Sequence, residues 1–130
     1  MKILLFIILL LLGPACTSIP LLLGSEGITH LEKGGVIVNE IDVDSNSLWY
    51  VSLITLKELG AEITKKGKEE GRIEAFMPNK KIKILITPLG ETRSVIKVKV
   101  VNTQNKKSEV IFASQISKKI YRKAKKIWEW

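Results

Sequence analysis

Few side chains in this sequence have the types and spacing that could do chemistry. The 130 residues hold one cysteine, Cys16, and one histidine, His30. Nucleophilic catalysis needs a base held beside the nucleophile. His30 has no candidate partner near it in sequence, and an unremarkable tether residue is the expectation for it. A zinc site needs several Cys or His at set spacings, and one of each does not supply it. No Gly-rich phosphate loop of a recognised form is present. Two carboxylate pairs remain. Glu69 and Glu70 stand in a charged turn with Lys66, Gly67, Lys68 and Gly71, where solvation accounts for them. Asp42 and Asp44 flank a helix start, where capping accounts for Asp44. The expectation is a protein that is not an enzyme and takes no cofactor or metal.

Cys16 has a different chemistry open to it. Lys2 precedes an unbroken apolar run over residues 3–12, followed by Gly13, Pro14, Ala15 and Cys16. A positive start, a short apolar stretch and small residues before a cut make a secretory signal. A spanning helix needs about 20 apolar residues, a length reached here only by crossing Pro14 and Pro20, which break helices. The region resembles the lipobox of bacterial lipoproteins, where the signal is cut before a cysteine that then carries lipid. Ala15 and Cys16 match that pattern; Gly13 stands where Leu is usual, and Leu12 is one place early. The resemblance implies a signal over 1–15, lipidation at Cys16 and a lipid-anchored protein of the cell envelope, facing the periplasm or the exterior. An incidental cysteine in a signal cut elsewhere is the alternative. A lone thiol in an exported chain has no disulfide partner within it.

Charge is unevenly spread. The net formal charge is +8. Residues 26–64 hold seven acids against Lys33 and Lys57, whereas residues 65–126 hold eighteen Lys or Arg against five acids. An exported, anchored protein rarely meets nucleic acid, so none is expected as a partner. Anionic lipid or an acidic cell-wall polymer suits such a surface better, and a solvated lysine surface that keeps the domain soluble is the bland alternative.

Taken in order, residues 16–35 read as a lipidated tether, rich in Pro and Gly and without a period. Residues 36–130 read as one domain, long enough to bury a core without disulfides. Residues 36–43 form a strand whose apolar alternation breaks near Asn39 and Glu40, which predicts a bulge. Asp44, Ser45, Asn46 and Ser47 suit a helix start. The helix runs over 47–59, with Trp49, Leu53, Leu56 and Leu59 on one face and Gly60 as its stop. Strands follow over 61–65, 72–77, 81–87 and 94–101. In the last two, Ile82, Ile84, Ile86, Ile96, Val98 and Val100 point inward and Lys81, Lys83, Lys97 and Lys99 outward. Alternation in consecutive strands joined by short turns implies an antiparallel meander with one wet face. A last helix starts near Ser108 and Glu109 and buries Ala113, Ile116, Ile120, Ala124 and Ile127. Lys118, Lys119, Arg122, Lys123, Lys125 and Lys126 crowd its other side. Trp128 and Trp130 follow, as sheet-edge packing or interfacial anchors.

The expected class is α+β, in the order β-α-β-β-β-β-α, an antiparallel sheet with both helices on its apolar face. Gly34, Gly35, Ser47, Leu48, Trp49, Leu53, the stretch Leu56, Lys57, Glu58, Leu59, Gly60, and Gly71, Arg72, Ile73, Glu74, Ala75 carry a family resemblance. The chain looks like a family of small bacterial lipoproteins of unknown function. Its helix-to-Gly pattern is similar to helix-grip modules in a lipoprotein subunit of the β-barrel assembly machinery. That likeness implies an accessory binding role without catalytic residues. Two expectations follow. One is an anchored binding or scaffold domain that docks an envelope protein through a sheet edge or a groove beside the last helix. The other is a basic domain that lies on anionic lipid or polymer, using Lys118 to Lys126 together with Lys81, Lys83, Lys97 and Lys99.

Overall fold

A computed structural model describes residues 28–128. The expected signal peptide, Cys16, the tether up to residue 27 and Trp130 lie outside the described residues, as do the side chains of Ile28, Thr29, His30, Ile127 and Trp128. Among the described residues no helix is long and apolar enough to cross a membrane.

Six antiparallel strands form one sheet: β1 (Ile28–Glu32), β2 (Val36–Ile41), β3 (Glu62–Gly67), β4 (Arg72–Met77), β5 (Lys80–Pro88) and β6 (Ser94–Asn102). Helix α1 (Ser45–Glu58) follows β2, and α2 (Val110–Trp128) follows β6. The spatial order is β1-β2-β6-β5-β4-β3. The expected meander is therefore present as β3 to β6, with β2 added beside β6. The α+β class and the two helices on an antiparallel sheet hold.

Two local expectations are corrected. Residues 28–32 were expected to be irregular tether, yet they form the edge strand β1, with Ile28 opposite Glu40 and Glu32 opposite Val36. A strand of five residues with one hydrogen-bonded neighbour leaves little trace in composition, because its pairing is made by the partner backbone. The expected bulge near Asn39 is absent: β2 pairs with β6 without a register shift from Ile37 to Ile41. Asn39 instead holds a core-facing position between Ile37 and Ile41. It is buried, and its Nδ2 donates to Ser117 Oγ of α2 at 3.3 Å. A polar residue on the apolar side made the alternation look out of phase.

One face of the sheet is covered by both helices. Ile73, Ala75, Ile82, Ile84, Ile86, Ile96, Val98 and Val100 meet Leu48, Trp49, Val51 and Leu56 of α1 and Ala113, Ile116, Ile120 and Ala124 of α2. Each large aliphatic buried in this way contributes about 1.5–3 kcal/mol relative to exposure. Asp44 caps α1, its Oδ2 accepting from Ser47 N at 2.9 Å. Gly60 ends the helix with φ +84, a region that costs a side chain but not glycine.

Helix α2 rides along β2 in the same direction, and three contacts fix the register. Gly35 sits so close to Ser108 and Val110 that a Cβ there would collide with Ser108. Asn39 meets Ser117 midway. Lys125 Nζ reaches Asp42 at 3.4 Å beyond the end of β2. From Val110 to Lys125 a helix rises about 22 Å, and from Gly35 to Asp42 a strand covers about 23 Å. The two lengths match, which is why one helix can bridge all three contacts.

Candidate binding surfaces

The sheet face away from the helices is open, and it carries the sheet lysines. Alternation along β5 and β6 places Lys81 and Lys83 there with Lys97 and Lys99, since the intervening Ile82, Ile84, Ile96 and Val98 face the core. Backbone pairing then decides who meets whom. Lys83 lies directly opposite Lys99, and Lys97 opposite Leu85. On the far side of β5, Glu74 is opposite Lys83, and Arg72 opposite Leu85. Val36, Leu85, Arg72, Glu74, Lys83, Lys97 and Lys99 surround a shallow hollow of about 190 Å³. Its floor is aliphatic and its rim mostly cationic.

Two of the four sheet lysines are neutralised. Lys81 pairs with Glu74 at 3.8 Å and Lys97 with Glu32 at 3.5 Å. Lys83 and Lys99 have no ion pair among the described residues. Like charges directly opposite across a strand pair are destabilising. Lys99 leans towards the β1–β2 turn, beside Gly34, which separates the two ammonium groups without neutralising either.

The second basic surface is the outer side of α2. Its apolar residues face the sheet at helical spacing, so Lys118, Lys119, Arg122 and Lys126 are turned to solvent. Lys123 pairs with Glu58 at 3.0 Å, and Lys125 with Asp42 at 3.4 Å. Lys118, Lys119 and Lys126 have no ion pair among the described residues. Glu58, Lys119, Arg122, Lys123 and Lys126 line a cleft of about 270 Å³. Cations in the last helical turns also suit the partial negative charge of the helix end.

These two surfaces lie on opposite sides of the molecule, with the sheet and core between them. The expected single basic surface is therefore two. One flat surface cannot touch Lys83 and Lys119 together. Sequence could not show this, because it assigns residues to the wet side of each element without saying which wet sides coincide.

The candidate carboxylates take structural parts. Asp44 caps α1, and Asp42 holds Lys125. Glu69 and Glu70 are exposed in the β3–β4 turn. His30 lies in β1 opposite Val38. Among the described residues no group of His, Cys, Asp or Glu is placed to hold a metal. The sequence reading missed a more constrained carboxylate. Glu109 accepts from Lys80 at 2.7 Å and from Asn102 at 3.0 Å. The Lys80 hydrogen bond first, and the Asn102 amide second, hold its carboxyl below the usual glutamate range. Lys80 also lies over the Phe112 ring at 5.0 Å. This cluster joins the start of α2 to β5 across 29 residues, a separation at which residue type alone gives no signal.

No protein-family model matches the chain, and no curated protein matches it.

Proposed function

We propose that the protein is a membrane-anchored bacterial lipoprotein of the cell envelope, with a non-catalytic domain that docks an acidic envelope partner on its open sheet face. The anchor rests on the signal-like residues 1–15 and on Cys16. The observation that carries the docking surface is the unneutralised pair Lys83 and Lys99, opposed across β5 and β6 at an aliphatic hollow. Unneutralised lysines at paired backbone positions keep this face positive. A carboxylate bound there is neutralised while Val36 and Leu85 are covered, which matches the apolar centre and charged rim of a protein interface. The β3 edge is a poorer docking site. Its register shifts between Ile63 and Lys65, and it presents Glu62, Thr64, Lys65 and Lys66. Bulges and charges of that kind block strand addition.

The test uses the full chain in a bacterial host, with a photo-crosslinking residue at Leu85. An intact mass fitting a chain that begins at Cys16 and carries acyl groups, recovered with membranes, is expected. So is one discrete adduct to an identified envelope protein, lost in the Lys83→Glu, Lys99→Glu double variant. A full-length unmodified chain in the soluble fraction overturns the anchor. An adduct indifferent to the charge reversal overturns the docking surface.

A further inference from the structure

The position of α2 relative to the tether's point of attachment bears on how the domain sits at a membrane. Ile28, where the described chain begins, pairs with Glu40 at the end of β2. Two residues further, Asp42 binds Lys125 of α2 at 3.4 Å. Because α2 runs in the direction of β2 and β1 runs against it, the start of β1 and the C-terminal half of α2 share one end of the molecule. The lysines in the C-terminal half of α2 are thus at the same end of the molecule as Ile28, the first described residue. From Cys16 to Ile28 the chain spans at most roughly 40 Å, even fully extended.

We infer that the outer side of α2, centred on Lys118, Lys119 and Lys126, is the surface the domain lays against the anionic head groups of the membrane that holds it. The inference rests on the lipid anchor proposed above and adds an orientation to it. Three observations converge. The tether keeps the start of β1 within roughly 40 Å of the bilayer. The end it leaves from is the end where α2 concentrates its charge. Lys118, Lys119 and Lys126 have no ion pair among the described residues, so their charge is available to a surface within a Debye length of about 8 Å. A basic patch beside a lipid anchor adds a second attachment to the same membrane. Tether and patch then act on the same side. The sheet lysines face away from the bilayer in this arrangement, which leaves Lys83 and Lys99 accessible to a partner.

Lysine footprinting on the full chain tests this. The protein is reconstituted in phosphatidylethanolamine vesicles with or without phosphatidylglycerol and treated with a membrane-impermeant amine reagent, and modification is read by mass spectrometry. Expected is several-fold slower modification of Lys119 and Lys126 in the phosphatidylglycerol vesicles, reversed by high salt, with Lys83 and Lys99 unchanged. Equal modification of all four in both vesicle types overturns the inference, and so does protection of Lys83 and Lys99 instead. Protection of Lys119 by an acidic cell-wall polymer but not by vesicles also overturns it and assigns the patch to the polymer. The intact mass from the same sample reads the anchor separately. If Cys16 carries no lipid, the anchor fails, while the footprint on added vesicles still decides whether α2 is the side that meets them.

Discussion

At the scale of single residues, most polar groups with restrained surroundings serve the fold. Asn39 and Ser117 bond to each other in the core, and leaving one without its partner would cost about 1–3 kcal/mol. Glu109 is a residue whose ionisation is coupled to the fold. Its carboxyl is held below the usual range by Lys80 and then Asn102. A carboxylate with a lowered folded value adds stability above the unfolded value, near pH 4.3, and loses it as the pH falls through the folded value. Urea unfolding between about pH 3 and 6 should therefore show a fall in midpoint at the acid end that is smaller in Glu109→Gln. An identical acid profile in that variant would remove Glu109 as the cause. The sequence showed Glu109 only as a helix-start residue, because its partners come from β5 and the end of β6.

At the scale of elements, the alternating strands β5 and β6 and the amphipathic α2 were legible from their periods. Period two and period 3.6 are local properties of the backbone, so Ile82, Ile84, Ile86, Ile96, Val98 and Val100 declare their common face without any knowledge of neighbours. Register is not local. That Lys83 faces Lys99 on its β6 side and Glu74 on its β4 side depends on the length and geometry of the turns on either side of β5. This pairing leads to a specific expectation. Replacing Lys99 by Glu puts an opposite charge across from Lys83 and should raise stability by about 0.2–1 kcal/mol, measured by denaturant unfolding. The same change should weaken docking of an acidic partner, a loss of function accompanying a gain in stability. Unchanged or lower stability would show that Lys83 and Lys99 do not repel in the folded protein.

For the whole molecule, the arrangement keeps two basic surfaces apart, and each can act without the other. Changes at sites far apart with no shared partners add independently. Neutralising Lys118, Lys119 and Lys126 to Gln should reduce vesicle binding and leave the Leu85 adduct intact. Reversing Lys83 and Lys99 should do the opposite. The two activities should also differ in salt response, steep for the charge-only contact and shallower for the interface with an aliphatic floor. If either set of substitutions abolishes both activities, the surfaces are coupled and the two-sided arrangement fails.

By itself, the order of residues determined the class of this protein. The apolar periods, the cap at Asp44, the stop at Gly60 and the lysines on the wet positions are all consequences of neighbours within a turn or a strand. The same holds for the expectation of export and lipidation, which is carried by residues 1–16 alone. The tertiary structure decided what depends on distant partners. It drew Ile28–Glu32 into the sheet, made Asn39 a core residue, and joined Glu109 to Lys80. It also put the lysines of α2 and those of the sheet on opposite sides. Chain connectivity limits such placements but does not choose among them, because strand order and helix direction are selected by packing one apolar layer against another.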